Sequence, residues 1–206
     1  MSPGRAGEDG EGRLITLEGL DGSGKSTVIA ALQRRHPTWT FTCEPTDSWY
    51  GDAVRRSVES QDADPIAELF LFIADHAEHL RTTIRPALRA GGMVVSDRYI
   101  DSRVAYQAVT LAERMDAPAA FIRDIHAPFT ILPDMTVFLD VEPEMAADRS
   151  GGTNKFEQVT HLREVQQQYE TIIAAAPERF RRVDASRSQA AVVDAVELAI
   201  SESDHR

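Results

Sequence analysis

Residues 19–26 read Gly19-Leu20-Asp21-Gly22-Ser23-Gly24-Lys25-Ser26, followed by Thr27. Gly19, Gly24, Lys25 and Ser26 satisfy the pattern G-x-x-x-x-G-K-[ST] of a phosphate-binding loop. Glycines let such a backbone curl so that its N–H groups point inward at phosphate oxygens. The lysine reaches the β- and γ-phosphates, and the hydroxyl that follows can hold Mg²⁺. The flanks fit the motif. Leu14–Leu17 is a short apolar run that predicts a strand. Thr27-Val28-Ile29-Ala30-Ala31-Leu32 predicts the start of a helix, whose N-terminus favours an anion. Gly19 to Thr27 are therefore expected to bind the phosphates of a nucleotide, ATP if the chain is a kinase.

Outward from the loop, strand-like and helix-like segments alternate. Strands are expected at Leu14–Leu17, Trp39–Cys43, Met93–Ser96, Met135–Leu139 and Phe180–Val183. Helices are expected at Ser26–Arg35, Gly51–Ser60, Pro65–Ala90, Ser102–Ala112, Ala117–His126, Pro143–Arg149, Gln158–Ala176 and Gln189–Ser201. Such alternation predicts an α/β protein with a parallel sheet covered by helices on both faces. A length of 206 residues suits one domain. Residues 1–12 read as a loose Gly-rich, charged tail, and 13–206 as a single domain.

Composition narrows the partners. The net charge of −11 argues against nucleic acid or an anionic membrane surface. No apolar run approaches membrane-spanning length, and no leader pattern is read at the start. One cysteine, Cys43, excludes an internal disulfide framework and agrees with a cytoplasmic protein. Of the 22 basic residues only Lys25 and Lys155 are lysine. Two explanations fit this bias: a GC-rich genome that favours Arg codons, or adaptation to high salt, where screening relieves acidic self-repulsion.

A phosphate loop alone leaves GTPases, motor ATPases and small-molecule kinases open. The run Met93-Val94-Val95-Ser96 leads directly into Asp97-Arg98-Tyr99, which puts a carboxylate and a guanidinium at the carboxyl edge of the sheet, where open α/β proteins bind ligands. Asp97, with Ser26, is a candidate Mg²⁺ site, and Arg98 can clamp a second phosphate; an Asp-Arg pair that only locks a strand end is the alternative. Phe72 and His76 are four residues apart on one helix face and can border an apolar base site. Asp148-Arg149 and Lys155 flank Gly151-Gly152, as cations on a closing lid would, although a solvated charged turn has the same composition. Asn154-Lys155-Phe156-Glu157 is close to the guanine-reading N-K-x-D motif. It follows Ser150-Gly151-Gly152-Thr153 rather than a buried strand, which argues against a GTPase.

With these residues in view the chain resembles the thymidylate kinases, P-loop nucleoside monophosphate kinases that use ATP and Mg²⁺. The resemblance spans about residues 14–193. It is carried by E-G-L-D-G-S-G-K-S-T (18–27), C-E-P-T (43–46), L-F-I-A-D-H (71–76), S-D-R-Y-I-D-S-R-V-A-Y-Q (96–107), L-P-D-M-T-V-F-L-D-V (132–141) and the segment 149–157. It implies a five-stranded parallel sheet flanked by helices, a short lid at about 149–157, and a homodimer. It further implies that Asp21 faces the acceptor's sugar and phosphate and that Glu44-Pro45 turns beside that phosphate. Phe72 would stack on thymine, Arg98 would hold the acceptor phosphate, and Tyr106 would disfavour a 2′-hydroxyl. Gln107 would line the same pocket, and Arg149 and Lys155 would supply cations because loop positions 21–23 carry no Arg. Three positions depart from the family pattern: Cys43 and His76 stand where Arg is usual, and Arg103 stands where a small polar residue usually meets the base. Arg103 is expected to supply the donor missing at 76, with His76 within contact range of the base. The alternatives are a kinase for another deoxynucleotide or deoxynucleoside, and a nucleotide-dependent switch without an acceptor.

Overall fold

The computed structural model describes residues 12–60, 62–151 and 155–202, the last from residue 158 where side chains are concerned. Five strands, β1 (Arg13–Glu18), β2 (Thr40–Cys43), β3 (Met93–Asp97), β4 (Met135–Asp140) and β5 (Phe180–Asp184), form one sheet in the order β2-β3-β1-β4-β5. All neighbouring pairs are parallel. Their residues explain why. Leu14, Ile15, Leu17, Val94, Val95, Val137, Phe138 and Leu139 are all within 1 % of full burial, as a strand covered on both faces requires.

The helices are α1 (Lys25–Arg35), α2 (Trp49–Glu59), α3 (Pro65–His79), α4 (Arg85–Arg89), α5 (Ile100–Thr110), α6 (Pro118–His126), α7 (Pro143–Ser150), α8 (Lys155–Ala175) and α9 (Gln189–Glu202). Side chains set several of their starts. Ser48 accepts from the N–H groups of Tyr50 and Gly51, and Asp64 does the same for Ile66 and Ala67 ahead of Pro65. The helix expected over 65–90 is one path in three parts, because a π-helical turn, Leu80–Ile84, separates α3 from α4. Pro86 supplies the physical reason: its ring cannot pack against the carbonyl four residues back, and a widened turn relieves that clash.

The register decides where chemistry can occur. Leu17 of β1 pairs with Asp97 of β3, and Cys43 of β2 pairs with the same Asp97. The phosphate loop, the Glu44-Pro45 turn and Asp97-Arg98 therefore leave the sheet together at its carboxyl edge. Of the segment expected to be a tail, only Gly12 lies among the described residues. It is buried, and a Cβ there would sit 2.5 Å from the Leu88 carbonyl oxygen.

Candidate active site

The phosphate loop runs from β1 into α1. Gly24, with φ of 96°, is the N-cap of α1. Gly22 takes φ of 84°, and a Cβ at that position would lie 2.1 Å from the carbonyl oxygen of Ala146 in α7. Only glycine meets both demands. Lys25 is 6 % exposed and donates from Nζ to the carbonyls of Gly19 (3.0 Å) and Leu20 (2.9 Å) and to Ser23 Oγ (3.3 Å). Burial, with Arg98 next, pushes its ammonium down to about 7.

A cleft of about 640 Å³ opens over this loop. Asp21, Gly22, Ser23, Gly24, Lys25, Ser26 and Thr27 line it, together with Asp97, Arg98, Arg149 and Arg187. The Ser26 hydroxyl lies 3.5 Å from Asp97 Oδ2. Asp97 Oδ1 is buried with no hydrogen-bond partner among the described residues. A hydroxyl beside a carboxylate with an unused oxygen suits a hard divalent cation. Among the described residues no cluster of three or more His, Cys, Asp or Glu side chains could cage one, so a cation here would take its remaining ligands from phosphate and water. Arg149, in the last turn of α7, donates to the Ala185 carbonyl at 2.9 Å and faces the same cleft. Residues 152–154 of the expected lid, and the Lys155 side chain, lie outside the described residues.

A second cleft, about 400 Å³, adjoins the first. Its walls include Asp21, Glu44, Pro45, Phe72, Arg98, Arg103, Tyr106 and Gln107, all expected at an acceptor site. The Glu44-Pro45 peptide is cis. Arg98 is the only described non-glycine residue with positive φ, 66°, a conformation that costs on the order of 1–3 kcal/mol and persists where its surroundings fix it. Its N–H donates to the Leu17 carbonyl (3.0 Å), Nη1 to Ser102 Oγ (2.8 Å) and Nη2 to Asp21 Oδ1 (2.6 Å). Tyr106 is tied into the same group, its hydroxyl accepting the Asp21 N–H at 2.9 Å. Burial resists ionisation of Asp21, but Arg98 and Lys25 outweigh it and hold the carboxyl below its usual range.

Behind Arg98, Ser102 also donates to Glu18, which accepts from Tyr169 and from the Tyr99 N–H. Glu18 is fully buried. Burial, aided by Asp101, pushes its carboxyl up to about 7.

One expectation is corrected. His76, expected at the acceptor site, does not line the second cleft. It is fully buried behind Glu44, with Nδ1 2.7 Å from Glu44 Oε1 and Nε2 3.0 Å from Thr130 Oγ1. The reason is charge: Glu44 is itself buried and needs donors, and His76, His79 (2.8 Å) and Arg103 (2.5 Å) supply them. Burial opposes the Glu44 charge, but His76 and Arg103 hold the carboxyl well below its usual range. Sequence reasoning missed Arg187 and His161, which line the first and second clefts respectively. Arg187 could have been found, because it follows β5 at the ligand-binding edge of the sheet. His161 sits mid-helix in α8 without a local signal.

A parallel sheet with a phosphate loop and two adjoining clefts at its carboxyl edge defines a P-loop nucleotide kinase architecture. Comparisons agree with it. A family model described as thymidylate kinase matches residues 17–196. A probable thymidylate kinase of Natronomonas pharaonis is 58 % identical over 184 residues, covering 88 % of this chain and 94 % of its own. Those of Halorubrum lacusprofundi (57 % over 192 residues, 92 % and 98 %) and Methanococcoides burtonii (49 % over 183 residues, 86 % and 90 %) are similar to it as well. The chain belongs to the thymidylate kinase family and is a nucleoside monophosphate kinase.

Proposed function

We propose that this protein transfers the γ-phosphoryl group of ATP to the phosphate of dTMP, giving dTDP and ADP, with Mg²⁺. The observation that supports this most strongly is a shared wall: Asp21, Glu44, Pro45 and Arg98 line both clefts. A donor in one and an acceptor in the other would meet at Arg98. Phosphoryl transfer needs alignment and charge neutralisation more than covalent help from the protein. The acceptor phosphate is already anionic, so no general base is needed.

In this reading the loop N–H groups and Lys25 hold the β- and γ-phosphates. Ser26 and Asp97 would hold Mg²⁺, which neutralises charge on the transferring group when bound. Arg98 releases Asp21 in favour of the acceptor phosphate, and Arg149 and Lys155 add positive charge from the donor side. Phe72 stacks on the base, Arg103 donates to it, and Tyr106 and Gln107 border the sugar. Tyr106 would disfavour a 2′-hydroxyl sterically, because its hydroxyl accepts the Asp21 N–H and the ring is held in place beside the sugar.

The enzyme would act in the cytoplasm as a homodimer. Among the described residues no helix is long and apolar enough to cross a membrane. Ile66 and Phe70, four residues apart on α3, and Phe121 on α6 are exposed apolar groups suited to a second copy.

The test is coupled ADP release with dTMP, dUMP, dCMP, dGMP and UMP compared side by side. Fast release with dTMP is expected. Preference for another acceptor would reassign the base, and acceptor-independent slow hydrolysis would make the protein a switch.

A further inference from the structure

We infer that His126 is a positioning residue for base selectivity: it holds the Arg103 guanidinium so that the arginine's free N–H edge faces the acceptor base. The inference rests on the assignment of Arg103 to the base in the preceding section.

His126 closes α6, is 1 % exposed, and does not line the acceptor cleft. Its Nδ1 is 2.7 Å from the Ile122 carbonyl oxygen. A carbonyl only accepts, so Nδ1 carries the hydrogen and Nε2 presents its lone pair. That lone pair meets Arg103 Nη1 at 3.2 Å. The other terminal nitrogen, Nη2, donates to Glu44 Oε2 at 2.5 Å. The guanidinium is thus held by one acceptor on each terminal nitrogen, one from α6 and one from the end of β2. Its plane is packed as well, with the central carbon 5.4 Å from the Phe72 ring centroid.

What remains free is specific. Arg103 is 3 % exposed, lines the cleft, and its Nε is buried with no partner among the described residues. A buried donor without a partner is a cost in the empty protein, and Arg103 sits in the wall of the cleft, so an acceptor brought there by a ligand could relieve it. Arg offers donors only, so it matches a pyrimidine edge that presents a carbonyl oxygen and opposes one that presents an exocyclic amine. The Ile122 carbonyl keeps His126 in the accepting tautomer, and burial, with Arg103 next, pushes its pKa down to about 3, so a cation does not form against Arg103. Without the Nε2 lone pair, Nη1 loses its acceptor and the guanidinium is tied only through Nη2 to Glu44 Oε2, free to swing about that bond and turn its donors from the cleft.

The experiment compares kcat/KM for dTMP and dCMP in His126→Leu, His126→Gln and Arg103→Ala, each checked by thermal melting. Leu keeps an apolar volume without an acceptor; Gln restores one near the position of Nε2. His126→Leu should lower the dTMP:dCMP ratio by about tenfold or more through a raised dTMP KM, with kcat and the ATP KM within about threefold. His126→Gln should recover most of the ratio. If the ratio collapses in Arg103→Ala but survives in His126→Leu, the positioning role is wrong while the base reading stands. If Leu and Gln lose the ratio equally, His126 serves packing only, and the inference falls. If Arg103→Ala leaves the ratio unchanged, the base reading itself fails and carries this inference down. Should His126→Leu not fold, His126→Met takes the same arm.

Discussion

Arg98 Nη2 lies 2.6 Å from Asp21 Oδ1, so the cation shared by the two clefts is held by a carboxylate of the phosphate loop itself. The pair joins the carboxyl end of β3 to the loop after β1. An incoming acceptor phosphate would compete with Asp21 for this guanidinium. Arg98→Ala should therefore raise the dTMP KM and lower kcat while leaving ATP affinity nearly unchanged. Arg98→Lys should rescue poorly, since a point charge cannot keep Ser102 and Asp21 together. Normal dTMP saturation with weakened ATP binding would move Arg98 to the donor side.

Lys25 should make nucleotide binding pH-dependent. With its ammonium near 7 in the free protein, bound phosphate oxygens would raise that value. Below both values the lysine is charged in either state and binding moves no proton. Between them the complex holds a proton that the free protein lacks, so affinity for ATP falls as pH rises above 7, by at most about tenfold per pH unit for one proton. Calorimetry at pH 8 in buffers of different ionisation enthalpy should detect proton uptake, and Lys25→Met should abolish it. Lys25→Ala should also lower turnover by about a hundredfold or more. Turnover within about tenfold of the parent would remove Lys25 from the transferring phosphate.

Base stacking and base reading should separate by mutation. Phe72→Ala should weaken dTMP and dCMP alike, because stacking tolerates base identity. Arg103→Ala should instead erode the preference for dTMP. The same kcat/KM pair measured in both variants distinguishes the two roles. Equal loss for both acceptors in Arg103→Ala would count against a donor aimed at the base.

Lys155→Ala should cut kcat with little change in either KM, and Arg149→Ala combined with it should cut kcat further, as for contacts made chiefly at the transition state. An unchanged kcat in the double variant would reduce the segment to a solvated turn.

The acidic surface predicts a response to salt. With a net charge of −11, the melting temperature should rise between low and molar KCl as self-repulsion is screened. A flat response would favour codon bias as the source of the missing lysines.

The architecture was legible because its signals are local. β1 and β3 are apolar runs ending in Glu18 and Asp97, and each is followed at once by a loop with recognisable chemistry. The phosphate loop and Asp97-Arg98 follow from such patterns. The environment of His76 does not. Its position on α3 shows which face it shares with Phe72, but not that Glu44, 32 residues earlier, is buried and takes its proton donor. The partner of Arg103 is likewise invisible in the chain, because His126 is 23 residues away and carries no motif. Long-range pairing of buried polar groups is set by packing, which single-sequence periodicity does not encode.

The contact between Gly22 and the Ala146 carbonyl limits how such a cradle can be rewired. An arginine grafted onto the loop cannot enter at 22 without driving α7 away. Position 21 is spoken for by Arg98, and Ser23 is 2 % exposed beneath the Lys25 ammonium. Positions 21 to 23 thus leave no room for a new cation. A further cation for the first cleft would have to reach it from a neighbouring element, as Arg149 does from α7.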